Sequence, residues 1–323
     1  MKNWRNHIGL FIALLAIVIL AAWPIITGKP AAREVTFTIL KAIVLASSLN
    51  IILGYTGYVS FGNIVFFGIG GYVGFYFLSE QNWSLWLTLL AGGAASGFIA
   101  FLLGKAILRL RGAYFALATI GVNMAFLALV KNLDLFGGPI GMTLNFQIYQ
   151  QYGGATRALQ MSFYLMFVIT LITVLVSYLV KKSKFGLGLF AIREDEDAAE
   201  VMGVVAPNAK TWAFVLSAIF PGMVGALFFF KNGNIEPHDA FPLHTSIELL
   251  VMVMLGGYGT VLGPIIGAAG YQRMRGLLVT SPIFKNTQLI VAGVLLLIIV
   301  LFVPDGIVGW VRNRFPKTRR VLQ

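Results

Sequence analysis

The sequence predicts an all-α, polytopic helical membrane protein of about ten crossings with glycine-broken helices. Three observations predict it. First, 58% of the 323 residues are hydrophobic and only 11% are charged, against about 25% charged in a soluble chain. Second, apolar runs of about 17–25 residues, the length a bilayer demands, recur along the whole chain. Third, the basic excess behind the formal net charge of +12 gathers at the ends of those runs, where orientation in a membrane places it. That distribution gives no reason to expect a nucleic-acid partner.

The spans follow in order. Lys2 and Arg5 precede span 1, 8–26. This run is longer than a signal-peptide core and lacks an Ala-x-Ala site, so a retained crossing is expected. A short polar connection leads to span 2, 35–53. Span 3, 54–78, is long enough to cross but is interrupted by glycine. Span 4, 83–103, ends in Lys105, Arg109 and Arg111, and span 5 covers 113–130. A polar stretch, 131–160, contains the motif FGGPIGM. Span 6, 161–180, leads to the most acidic part of the chain. Span 7 is 211–230, and a loop with Glu236, His238 and Asp239 follows. Three more crossings are read at 243–255, 261–279 and 287–303, before a tail with Arg312, Arg314, Lys317, Arg319 and Arg320.

Ten is an even number, so both termini share a side. The N-terminal, 105–111, 181–184 and C-terminal basic clusters all fall on that side, which the positive-inside rule makes the cytoplasm. A single transmembrane domain, 1–323, in a cell (inner) membrane is expected, with a basic cytoplasmic tail at 304–323.

The segment 185–204, FGLGLFAIREDEDAAEVMGV, is the exception to the apolar rule. It holds Glu194, Asp195, Glu196, Asp197 and Glu200, five of the 12 acidic residues. It belongs in water, because each charge at mid-membrane costs about 2.5–3.5 kcal/mol even on lenient insertion scales. Leu187, Phe190, Ala191, Ala198 and Val201 form a partial apolar stripe, interrupted by Glu194. A short surface helix is expected, either a solvated link between spans or a docking element for a cytoplasmic partner.

Two glycine-rich stretches echo one another: Gly57, Tyr58, Ser60 and Gly70 against Gly257, Tyr258, Thr260 and Gly270. Glycines of this kind serve close helix packing or a broken helix at a binding site.

Several chemistries are absent. There is no cysteine, which excludes disulfides and thiolate sites. No phosphate-binding GxxxxGK[ST] loop, His-x-x-x-His pair or Gly-x-Ser-x-Gly elbow occurs. No catalytic residue, metal site or cofactor is expected in this chain. Few ionisable residues interrupt the spans. Lys41 and Glu248 are the clearest, and two readings stand: they pair, or Lys41 snorkels outward while Glu248 caps its helix. Asn50, Asn63, Asn123 and Gln272 are polar at depth, for interhelical hydrogen bonds or for a pore lining. So few fixed charges suit a small neutral or zwitterionic solute.

The acidic segment and the span after it, WAFVLSAIFPGMVGALF, resemble the permease subunits of branched-chain amino-acid ABC importers, the LivM type. GYVSFGNIVFFGIGGY, LRGAYFALATIG, FGGPIGM, SIELLVMVMLGGYGTVLGPIIGA and PDGIVG agree in order over nearly the whole chain. The resemblance implies a LivH-like second permease and two cytoplasmic ATPase subunits carrying ATP and Mg. It also implies an external solute-binding protein. It places Gly188, Ala191, Arg193, Glu194, Asp197, Ala198 and Gly203 in the ATPase-coupling segment. Asn63 stands where such permeases usually have histidine. Phe136 replaces a usual threonine, and Asn123 stands where many have an acidic or other polar residue. The solute implied is a branched-chain or other neutral amino acid, with urea or short amides as the alternative; a stand-alone channel or carrier is the reading from another class.

Overall fold

The computed structural model describes residues 8–280 and 306–314, with 290–291, 293–294 and 297 between them. Lys2, Arg5 and His7, most of the expected span 287–303, and Lys317, Arg319 and Arg320 lie outside the described residues.

An apolar run surrounded by lipid must satisfy its backbone groups internally, so it becomes a helix. The helices are α1 (Ile8–Thr27), α2 (Pro30–Thr56), α3 (Asn63–Ser79), α4 (Leu85–Ile107) and α5 (Ala113–Lys131). Then come β1 (Met142–Thr143), α6 (Gln147–Gln151), α7 (Ala155–Lys182), α8 (Lys184–Glu194) and α9 (Glu196–Val201). After them run α10 (Ala206–Asn232), β2 (Asn234–Ile235), α11 (Pro237–Ala240), α12 (Leu243–Gly256), α13 (Leu262–Thr280) and α14 (Gly306–Arg314). The chain is therefore an all-α polytopic membrane protein. Seven helical stretches among the described residues are long and apolar enough to cross: α1, α2, α4, α5, α7, α10 and 237–256.

The largest departure from the expected spans is at 54–78. Here α2 runs on to Thr56, a turn follows, and α3 begins only at Asn63. Gly57 takes a left-handed φ of +76°, which ends α2 as a glycine after a helix commonly does. The Ser60 hydroxyl then accepts the Gly62 N–H at 3.2 Å. The second glycine stretch repeats the device. Gly257 has φ +114° after α12, and Thr260 Oγ1 accepts the Gly263 N–H at 2.9 Å at the head of α13.

The described residues form two compact units. One comprises those of 1–55, 170–187 and 247–323, the other those of 56–169 and 188–246. In the first unit the buried Asn50 side chain grips the turn before α13 twice. It donates to the Thr260 carbonyl and accepts the Gly259 N–H, both at 2.9 Å. Lys181, near the end of α7, donates to the Gly259 carbonyl at 2.8 Å.

In the second unit α3, α4 and α10 pack through small residues. Gly70 of α3 lies against the backbone of Gly222 of α10, where a Cβ on Gly70 would collide with it, and a Cβ on Gly222 would collide with Ser96 and Gly92 of α4. Ser96 of α4 donates to the Phe66 carbonyl at 2.8 Å. The β1–β2 pair, antiparallel with Met142 opposite Ile235, ties the polar stretch after α5 to the end of α10.

Candidate functional site

The acidic segment folds as two short helices with a break at Asp195, not as the single surface helix expected. The cause is local. Asp195 is extended (φ −158°, ψ 116°), and its carboxylate accepts the Ala198 N–H at 2.9 Å. That makes Asp195 the N-cap of α9. Glu196 and Asp197 in the next turn suit the positive end of the helix.

The break brings Glu196 to a buried lysine. Lys210, in the first turns of α10, has its side chain only 2% exposed. Its ammonium uses all three donors: to Glu196 Oε1 at 2.6 Å, to the Tyr58 hydroxyl at 2.9 Å and to the Leu108 carbonyl at 3.0 Å. Tyr58 donates in turn to Glu196 Oε2 at 2.6 Å. The triangle closes with every polar hydrogen of the lysine placed. Leu108 caps the end of α4, so the cation also meets the negative end of a helix. The Tyr58 ring lies edge-on to Phe115 at 5.2 Å. Three elements of this unit thus converge on one ammonium: the turn before α3, the end of α4 and the acidic segment.

Arg111 closes the outer side. It forms a bidentate pair with Asp197 (2.8 and 3.2 Å) and stands 3.7 Å from Glu196. Burial pushes the Glu196 pKa up. The hydrogen bonds from Lys210 and Tyr58 and the charges of Lys210 and Arg111 outweigh it and hold the carboxyl below its ordinary range. Asp197 is held low by its hydrogen bonds from Arg111, and the Arg111 pKa is raised by the same bonds.

The residues expected to couple to an ATPase divide into those facing inward and those facing out. Asp197 is tied to Arg111 of its own chain. The Arg193 stem lies over the turn glycine, 3.3 Å from where a Gly57 Cβ would stand. Ala191 and Gly188 are half-buried, and Gly188 faces Val204. Glu194, Ala198 and Gly203 are exposed. The strongest outward feature is apolar: Val201 is 90% exposed, Met202 78%, Leu187 67% and Val205 61%. Lys210, Tyr58 and Arg111 were not among the sequence candidates. One signal did exist for Lys210, a lone lysine at the head of an apolar span just after an acid-rich stretch.

Lys41 is half-buried in α2. Glu248 is buried and meets Arg275 of α13 at 3.0 Å, a partner the sequence reading did not name. Asn63 and Asn123 are both buried, in the unit that holds the Lys210 cluster.

A family model described as "Branched-chain amino acid transport system / permease component" matches residues 31–300. The chain belongs to that family. It is a membrane permease subunit of an ABC importer. The high-affinity branched-chain amino acid transport system permease protein LivM of Salmonella typhimurium is 28% identical over 93% of this chain and 75% of its own length. LivM of Escherichia coli K12 matches to the same extent. The branched-chain permease BraD of Pseudomonas aeruginosa is 27% identical over 45% of this chain and 47% of its own. No solved structure matches the chain.

Proposed function

We propose that this permease translocates a branched-chain or other neutral amino acid. An external binding protein delivers the solute, and a LivH-like second permease completes the path. Two cytoplasmic ATPase subunits, which carry the ATP and Mg, drive it by docking on the acidic segment and its counterpart in the second permease. The termini and the acidic segment then lie on the cytoplasmic side, as the basic clusters favour. The names of the LivM and BraD relatives support the solute class.

One observation carries the docking role. The segment is clamped on its inner side by Lys210 and presents Val201, Met202 and Val205 to solvent on the other. A rigidly held apolar patch on a charged segment is what a partner surface requires. Force on that patch reaches the turn before α3 through Glu196 and Tyr58.

Co-purification tests it. An ATPase subunit is expected to accompany the full chain, and Glu194→Arg with Val201→Glu to release it. Retention of the ATPase by that variant, or solute uptake unaltered in vesicles stripped of ATPase, overturns the reading. Glu194 is the better charge to reverse than Asp197, since Asp197 also holds Arg111.

A further inference from the structure

The second unit contains buried polar groups that the Lys210 cluster does not use. Asn63 opens α3 and is 1% exposed, yet neither its amide nitrogen nor its amide oxygen has a partner. Asn123 of α5 is 2% exposed and its Oδ1 is unpartnered, as is the hydroxyl of Tyr72, 1% exposed on α3. A buried polar group without a partner loses its hydration with nothing in return, so several in one region point to a ligand or water that completes them. These groups lie on the helices that border one seam. Thr119 of α5 accepts the Phe61 N–H at 3.1 Å beside the start of α3, and Asn123 follows one turn later.

Phe241 stops the far end of that seam. It follows α11, which packs on both α3 and α5. Its ring is parallel to the Tyr72 ring at 6.1 Å and lies so close to Gly68 that a methyl group there would collide with it. Asn123 Nδ2 donates to its carbonyl at 3.2 Å. The seam therefore runs from the Tyr58–Glu196 end of the unit to an aromatic stopper at the end that carries β1 and β2.

We infer that Asn63, Asn123 and Tyr72 line a solute site along the α3–α5 seam and that Phe241 is the gate closing it. This rests on the importer reading and adds the place where the solute passes. The unpartnered set offers donors and acceptors but no net charge. The aromatic faces of Tyr72 and Phe241 add an apolar wall. Such a site takes a small neutral polar or zwitterionic molecule with an apolar side chain.

The absence of cysteine makes a direct test clean. Asn63→Cys, which sacrifices no hydrogen bond, is probed in membranes of the full chain with a small methanethiosulfonate reagent. The reaction should be slow with Phe241 present and about tenfold faster or more in Phe241→Ala, since opening governs access to a buried group. Phe241→Leu, which keeps most of the bulk, should stay near the slow rate. Millimolar L-leucine or urea should slow the fast reaction. Equal rates in the Phe241 and Ala backgrounds overturn the gate. Acceleration that neither L-leucine nor urea slows overturns the solute site and leaves a water-filled seam. The labelling needs no ATPase and no ATP, so failure of the importer reading would show separately, in co-purification.

Discussion

Lys210 Nζ and Glu196 Oε1 stand 2.6 Å apart, and this contact fastens α9 to the head of α10. Replacing Lys210 by methionine keeps the stem but leaves Glu196 with Tyr58 and the more distant Arg111, and leaves the Leu108 carbonyl without its ammonium. Removing one partner of a buried pair costs roughly 3–5 kcal/mol. Glu196 keeps some exposure, 12%, so the lower end, about 3 kcal/mol, is expected. Thermal unfolding of the purified chain measures it. The double variant Lys210→Met, Glu196→Gln should recover part of the loss, because no buried charge is then left over.

Acid should loosen the same cluster. The folded pKa values of Glu196 and Asp197 lie below their ordinary 4.5 and 3.8. Depressed carboxylates contribute stability that is fully present above the unfolded values and is lost as pH falls through the folded ones. The unfolding temperature should show no loss from this cluster between neutral pH and about pH 5, then a fall beginning near pH 4. Glu196→Gln with Asp197→Asn should flatten that fall. An identical acid profile in wild type and variant would refute the assignment.

The two halves of this site differ in how far the chain revealed them. Hydropathy located the helices well, because in lipid the backbone has no choice but to close its own bonds. It misplaced the start of α3, where Gly57 and Ser60 override an apolar stretch that reads as continuous. The acidic segment was visible by charge alone. Its fold was not, since Asp195 serves as a cap only when read with its own extended backbone. Lys210 and Tyr58 are 152 residues apart in sequence, and no local pattern joins them. Arg275 reaches Glu248 from the next helix, 27 positions on, and no helical spacing links the two.

The exposed apolar patch makes an opposite prediction to the buried cluster. Val201 and Met202 touch so little of their own chain that Val201→Glu with Met202→Glu should change stability by under about 0.5 kcal/mol. The same pair should weaken ATPase co-purification by about tenfold or more, as loss of a central apolar contact does. Unfolding temperature and pull-down, measured on one preparation, separate the effects. A variant that loses stability along with the partner would mean the patch packs within its own chain.

Close packing of α3, α4 and α10 is the most exacting demand in the second unit. A Cβ on Gly222 would meet the Ser96 hydroxyl and the Gly92 carbonyl of α4. Gly222→Ala should therefore destabilise despite alanine's better helix propensity, by about 1–3 kcal/mol of overpacking. Ser96→Gly in the same chain removes the side-chain obstacle but not the Gly92 carbonyl. It also removes the hydrogen bond to the Phe66 carbonyl, so partial recovery is expected, with the pair non-additive because the two sites touch. Gly121 is the control: it is helical and a Cβ there meets nothing within 4 Å. Gly121→Ala should stabilise the isolated chain by up to about 1 kcal/mol. If Gly222→Ala behaved like Gly121→Ala, the three-helix contact could not be as tight as its backbone spacing requires.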